Sequence, residues 1–156
     1  MGYEIQAIIA KVSTLSLFSC SCQYAKVSTL KQGFGLIPVV DRLFDELQSH
    51  HQYGVLQSTD FDGFYRLSAV AYLSKEMSKS APVAYIEAEF HGGTGTQSSI
   101  AWTNNCVSFG PEHSADAINK VLRHLGVRAI GLADEFDSLG LGYNRHTEKW
   151  FSPESN

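Results

Sequence analysis

The sequence predicts an α+β fold in which a largely antiparallel sheet carries helices packed on one face. The first observation is that residues 83–109 form three predicted strands, the first of which alternates along VAYIEAEF at 83–90. The second is that apolar residues recur at helical spacing in three other segments, each of which offers a stripe to cover the sheet. These segments lie near Val40, Leu67 and Ile118.

The alternation at 83–90 divides that strand into two faces. The apolar face holds Ala84, Ile86, Ala88 and Phe90, and we expect Ile100 and Trp102 of the next strand to join it. The other face holds Val83, Tyr85, Glu87 and Glu89. We therefore expect helices to cover the first face and the acids of the second to remain open to solvent.

The remaining elements follow from periodicity and from local start and stop signals. Strands are predicted at 3–10 and 25–37, and helices at 13–18, 40–47, 64–79 and 114–125. Gly126 suits the end of the last helix, and Asp134 suits the cap of a short helical turn. Tyr65 and Tyr72 are seven residues apart and share one helix face, which is either partly exposed or part of the core; we favour the core.

Length and composition favour one soluble domain over residues 1–150, followed by a flexible tail at 151–156. A net charge of -4 argues against nucleic-acid binding, and no apolar run is long enough to span a membrane. A leader peptide is disfavoured because the first residues carry an acid, Glu4, and no base. Three cysteines are too few for a disulfide framework, which favours a reducing cytoplasm.

The glycine-rich stretch at 91–97, HGGTGTQ, invites comparison with a phosphate-binding loop. Such a loop needs a helix directly after it, whereas the residues that follow here predict a strand. We therefore expect a hairpin loop or a β-bulge with positive φ, and no cofactor. His50 and His51 are adjacent and point apart on regular structure, so we expect no metal site there.

Two acidic groups remain as candidate functional residues. Glu87, Glu89 and His91 share one strand face, and carboxylates at this spacing lie about 6 to 7 Å apart. That separation suits acid/base or metal-dependent hydrolysis, but a solvated sheet face has the same appearance. The second group comprises Asp134, Glu135 and Asp137, where acids complement a helix N-terminus. No GxSxG or HExxH motif is present, and we assign no catalytic residue.

Several short segments together resemble a known class of small bacterial protein. They are MGYxI at the start, QGFxLIP at 32–38, LFDE at 43–46, GGxGxQ at 92–97 and DEFDxLGLG at 134–142. This pattern resembles uncharacterised proteins encoded beside polymorphic or contact-dependent toxins, where the small neighbour is an immunity protein. The resemblance implies an intracellular protein that binds and neutralises a cognate toxin.

The acidic residues suit such a partner, since many nuclease toxins are basic and charge complementarity speeds association. We therefore expect the partner-binding residues to be Tyr85, Glu87, Glu89, Asp134, Glu135 and Asp137. Tyr85 would supply an aromatic anchor, and the acids would supply the attraction. The alternative is a small hydrolase that uses Glu87, Glu89 and His91.

Overall fold

An antiparallel sheet of six strands, in the order β2-β3-β1-β4-β5-β6, organises the chain. The computed structural model describes residues 2–49, 64–91 and 94–151. The strands are β1 (Tyr3–Lys11), β2 (Ser28–Thr29), β3 (Phe34–Pro38), β4 (Val83–His91), β5 (Thr94–Thr103) and β6 (Cys106–His113). The predicted α+β class and the antiparallel character of the sheet are confirmed.

The helices connect and cover these strands. They are α1 (Val12–Ser21), α2 (Asp41–Gln48), α3 (Leu67–Met77), α4 (Ala117–Leu125), α5 (Glu135–Leu139) and α6 (Thr147–Phe151), with a 3₁₀ turn at Leu141–Tyr143. Phe151, the first residue of the predicted tail, ends α6, while 152–156 and the predicted loop at 57–63 lie outside the described residues. None of the described helices is long and apolar enough to cross a membrane.

Helices cover both faces of the sheet, whereas the sequence predicted one covered face. Helices α1 to α3 pack on the face that carries Tyr85, and α4 and α5 pack on the face that carries Ile86; α6 contributes Phe151 to the first cluster and Trp150 to the second. The physical reason lies in the central strands, where apolar residues point to both sides, as Ile8 and Ile9 do on β1. A strand that is apolar on both sides needs two covering layers.

The register of the β4–β5 pair corrects the predicted placement of Ile100 and Trp102. Ile100 lies directly opposite Tyr85, and residues opposite each other in a sheet share a face. Both side chains therefore pack with Tyr85 under α1 to α3, and the prediction that they join Ala84 and Ile86 is wrong.

The glycine-rich stretch joins β4 to β5 as a hairpin, because His91 pairs with Thr94 and a strand follows. Gly92 and Gly93 lie outside the described residues. Gly95 has a steric role: a Cβ atom there would overlap the carbonyl oxygen of Glu89 and the ring of Phe90 on β4. Close approach of two strands is a common reason for a glycine inside a strand.

We expect Gly95→Ala to lower the free energy of unfolding by about 2 kcal/mol, because the new methyl group forces β4 and β5 apart. Gly142→Ala is the matched control, since a Cβ atom there meets nothing closer than 3.5 Å. Urea titration of both variants and the wild type measures the effect. Equal stabilities for the two variants would show that the close approach at Gly95 is absent.

Candidate functional site

A buried carboxylate fixes the start of α3 against the sheet. Glu87 has 5% of its surface exposed. Its carboxylate accepts hydrogen bonds from the backbone amides of Tyr65 and Arg66, both at 2.8 Å, and from the Tyr85 hydroxyl at 2.6 Å. The two amides directly precede the first residue of α3, so a negative group here also complements the helix dipole.

Tyr85 and Glu87 are therefore interior residues, and the prediction that they lie on an open face is wrong. Tyr85 is fully buried, with its ring centroid 5.9 Å from that of Phe64. The reason is that α3 and the residues before it cover this half of the face. Neither side chain is available to touch a partner in this conformation, and both act as supports for Tyr65 and Arg66.

Burial and hydrogen bonding act in opposite directions on the Glu87 carboxyl. Burial is the larger effect and raises its pKa above the ordinary value of 4.5, while the hydrogen bonds from Tyr85, Tyr65 and Arg66 lower it. Burial, followed by the adjacent charge of Glu87, raises the pKa of the Tyr85 hydroxyl well above its usual range. Tyr85 thus keeps its proton and remains a donor to Glu87.

Tyr65 is held by this arrangement with its ring in solvent. The residue is 75% exposed although its amide is bonded to Glu87. Next to it, the Arg66 guanidinium donates to the Val39 carbonyl at 2.8 Å and pairs with Asp41 at the start of α2. The expectation that Tyr65 fills the core is wrong, because α3 begins only at Leu67.

The same sheet face continues beyond Tyr65 as an exposed polar surface, which we call the polar end: Glu4, Tyr65, Glu89, His91 and Thr96. Glu89 lies opposite Glu4 on β1 and opposite Thr96 on β5. Its carboxylate is 3.2 Å from the His91 Nε2 atom, and both side chains are at least half exposed. Tyr65, Glu89 and Thr96 line one small cleft, so Tyr65 lies beside the acid.

The second predicted acidic group lies on the other side of the sheet, with α4 and α5. Asp134 caps α5 by accepting from the Asp137 amide at 2.9 Å, which confirms the predicted cap. Glu135 is mostly covered and bonded to Arg123 at 3.0 Å, and this hydrogen bond lowers the pKa of its carboxyl. The two acidic groups therefore occupy opposite faces and do not form one surface.

Ser98 and His113 form a polar pair that the sequence did not single out. Ser98 lies opposite Glu87 on one side and opposite His113 on the other, and its Oγ atom is 2.7 Å from the His113 Nδ1 atom. The three residue types suggest a catalytic triad, but Glu87 lies on the far side of Ser98 from the histidine. Its oxygens are also occupied by Tyr65, Arg66 and Tyr85. The arrangement therefore lacks the carboxylate–imidazole contact that a triad requires.

The geometry around Glu87 also argues against the predicted hydrolase. Glu87 is committed to its donors, so it is not free to act with Glu89 and His91 as an acid/base pair. Within the described ranges, no group of three histidine, cysteine or acidic side chains is placed to hold a metal ion. His50 and His51 lie outside those ranges.

Comparisons with known proteins add no family to this description. No protein-family model, curated protein or solved structure matches the chain significantly.

We expect Glu87→Ala to lower the free energy of unfolding by about 3 kcal/mol, because the amides of Tyr65 and Arg66 lose their acceptor. Glu89→Ala, two residues away on the same strand face, is the matched control and changes stability by less than about 0.5 kcal/mol. Chemical denaturation measures both. A Glu87→Ala variant as stable as the control would show that the carboxylate does not hold these amides.

The raised pKa of Glu87 predicts a specific pH dependence. Between its ordinary value of 4.5 and its raised value, the folded state binds more protons at this site than the unfolded state. The stability that Glu87 contributes through its raised pKa is therefore fully present below pH 4.5. It is lost as the pH rises through the pKa of Glu87 in the folded state. Unfolding measured from pH 4 to pH 8 tests this against Glu87→Gln, which does not titrate. The stability difference, wild type minus variant, should fall with rising pH; a difference that grows would reverse the assignment.

Proposed function

We propose that the protein is a binding module that recognises a basic protein partner through its polar end. Most concretely, we propose that it is an immunity protein that binds and neutralises a cognate bacterial toxin in the cytoplasm. The single observation that carries the proposal is Tyr65, an exposed aromatic side chain whose backbone is fixed by a buried carboxylate.

A fixed, exposed aromatic residue is a suitable anchor for a protein partner. Tyrosine is among the residues that dominate binding energies, because its large ring desolvates well and loses little side-chain entropy. The hydrogen bond from the Tyr65 amide to Glu87, together with the contacts of the neighbouring Arg66, holds the backbone of Tyr65 in place before any partner binds. Preorganisation of this kind reduces the entropic cost of association.

The charges around Tyr65 favour a basic partner. Glu89 lines the same cleft as Tyr65, Glu4 lies opposite Glu89 on β1, and the whole chain carries a net charge of -4. Acidic groups at the rim of an interface steer a basic protein into contact and raise its association rate. An immunity protein needs only such a complementary surface and no catalytic group. This agrees with the Glu87 carboxylate, whose oxygens already accept hydrogen bonds from within the protein.

The candidate partner residues take different parts in this proposal. Glu89 stays in the proposed interface, joined by Tyr65 in the anchoring role first expected of Tyr85. Tyr85 and Glu87 support that interface from within. The group Asp134, Glu135 and Asp137 stays a separate prediction, because it lies on the opposite face.

The immunity role is tested by co-expressing the chain with the product of the gene immediately upstream of its own. Growth arrest by that product alone, relieved when the chain is present, supports the proposal. A neighbour that is not toxic, or toxicity that persists in the presence of the chain, overturns the immunity assignment.

The binding surface is tested by calorimetry with that toxin. We expect Tyr65→Ala to weaken affinity about 30-fold, the effect of losing roughly 2 kcal/mol at an aromatic hot spot. Tyr143→Ala is the matched control, since Tyr143 is also highly exposed but lies in the 3₁₀ turn on the other face. Equal affinities for the two variants would remove the polar end from the interface.

The charge contribution is measured separately by association kinetics at low and high salt. We expect Glu89→Lys to slow association at least fivefold at low salt, because it replaces an attraction by a repulsion. Glu76→Lys, an exposed charge reversal in the last turn of α3 and away from the polar end, is the control. The two variants should converge as salt rises, and identical rates at low salt would contradict the proposed role of Glu89.

A further inference from the structure

A cavity of about 520 Å³ lies at the β2 edge of the sheet. Its wall is built from the connection between β2 and β3 and from the segment that runs from α5 to α6. The apolar part of the wall comes from Leu30, Leu139, Tyr143 and Trp150. A volume of this size and an apolar, aromatic lining are typical of small-molecule sites.

The cavity wall carries two opposite charges that do not pair with each other. Lys31 and Asp137 both line it, and no ion pair or side-chain hydrogen bond is found for either among the described residues. The backbone of Lys31 is fixed by its amide, which donates to the Leu139 carbonyl at 3.1 Å. Its methylene groups pass about 4.0 Å from the position that a Cβ atom on Gly140 would take. A cation and an anion that line one cavity without pairing with each other suit a ligand that carries both charges.

The third feature is the Trp150 indole ring in the wall. Trp150 is 5% exposed, and its indole N–H has no acceptor among the residues that the structure describes. The residue is held in place, since the Ser28 hydroxyl donates to its carbonyl at 3.0 Å and the Tyr143 ring centroid lies 6.4 Å from its own. The indole nitrogen itself is closed to solvent, so the part of Trp150 that lines the cavity offers an apolar ring surface.

We propose that this cavity binds a small zwitterion with an apolar body, the chemistry of a free apolar α-amino acid. Asp137 binds the ammonium group of the ligand. Lys31 binds its carboxylate. The apolar side chain of the ligand packs against Leu30 and Leu139. The site shares no residue with the polar end, so this proposal and the proposed function are tested independently of each other.

The ligand class is tested by calorimetry with L-phenylalanine, 3-phenylpropionate and phenethylamine. These three probes share the aromatic ring and differ in carrying both charges, only the carboxylate or only the ammonium. We expect L-phenylalanine to bind at least tenfold more tightly than either comparator. Equal affinities for the three, or no binding of L-phenylalanine at millimolar concentration, would overturn the proposal.

Two charge-removing variants test the assigned contacts. Lys31→Met should weaken L-phenylalanine binding at least tenfold and leave phenethylamine binding unchanged. Asp137→Asn should weaken L-phenylalanine to a similar extent and leave 3-phenylpropionate unchanged. Lys149→Met is the control, since Lys149 is exposed on α6 and does not line the cavity. Variants that bind all three probes as the wild type does would overturn the assignment.

Tryptophan fluorescence gives an independent readout of position. Trp150 lines the cavity, whereas Trp102 is buried in the core on the opposite face. Binding of L-phenylalanine should change the emission of the wild type and of Trp102→Phe, and should leave that of Trp150→Phe unchanged. A change that persists in Trp150→Phe would place the ligand elsewhere.

Discussion

The hydrogen bonds that converge on the Glu87 carboxylate are the constraint on which the candidate site depends. A charged group taken out of water is unfavourable unless donors replace the water, and here two backbone amides and the Tyr85 hydroxyl do so. The amides belong to the residues before α3, so satisfying the carboxylate also fixes where that helix begins. The exposed position of Tyr65 follows from the same contacts.

This constraint links the interior of the sheet to its surface. On the first half of β4, α3 covers the face that carries Tyr85 and Glu87; on the second half, the same face emerges as the polar end with Glu89 and His91. The boundary between the two halves is the row that contains Glu87. A single strand thus supplies both the support and the surface: Glu87 is buried, and Glu89, two residues further along the same face, is exposed.

The alternation of β4 could be predicted from sequence, but the covering of its two faces could not. Periodicity predicts which side chains share a face, and it correctly placed Ala84 and Ile86 on the other face of the sheet from Tyr85. It does not state what packs on each face, because that depends on segments distant in the chain. Ile100 was assigned to the wrong face because a one-residue error in register moves every side chain to the other side.

The same distinction between local and long-range interactions explains which parts of the candidate site could be predicted from sequence. Local signals predicted the Asp134 cap and the left-handed Gly126 at the end of α4, since both depend on neighbours within one turn. The start of α3 was predicted three residues early at Phe64, because its amides are satisfied by Glu87, more than twenty residues away. Long-range capping of this kind leaves no local pattern, so the exposed Tyr65 was not found from sequence.

Amide hydrogen exchange at Tyr65 and Arg66, followed by NMR on the wild-type protein, tests the central claim most directly. If the Glu87 carboxylate holds both amides, they exchange at least about 100-fold more slowly than in an unstructured chain, although the Tyr65 side chain is exposed to solvent. Exchange of both amides at the rate of an unstructured chain would contradict the account.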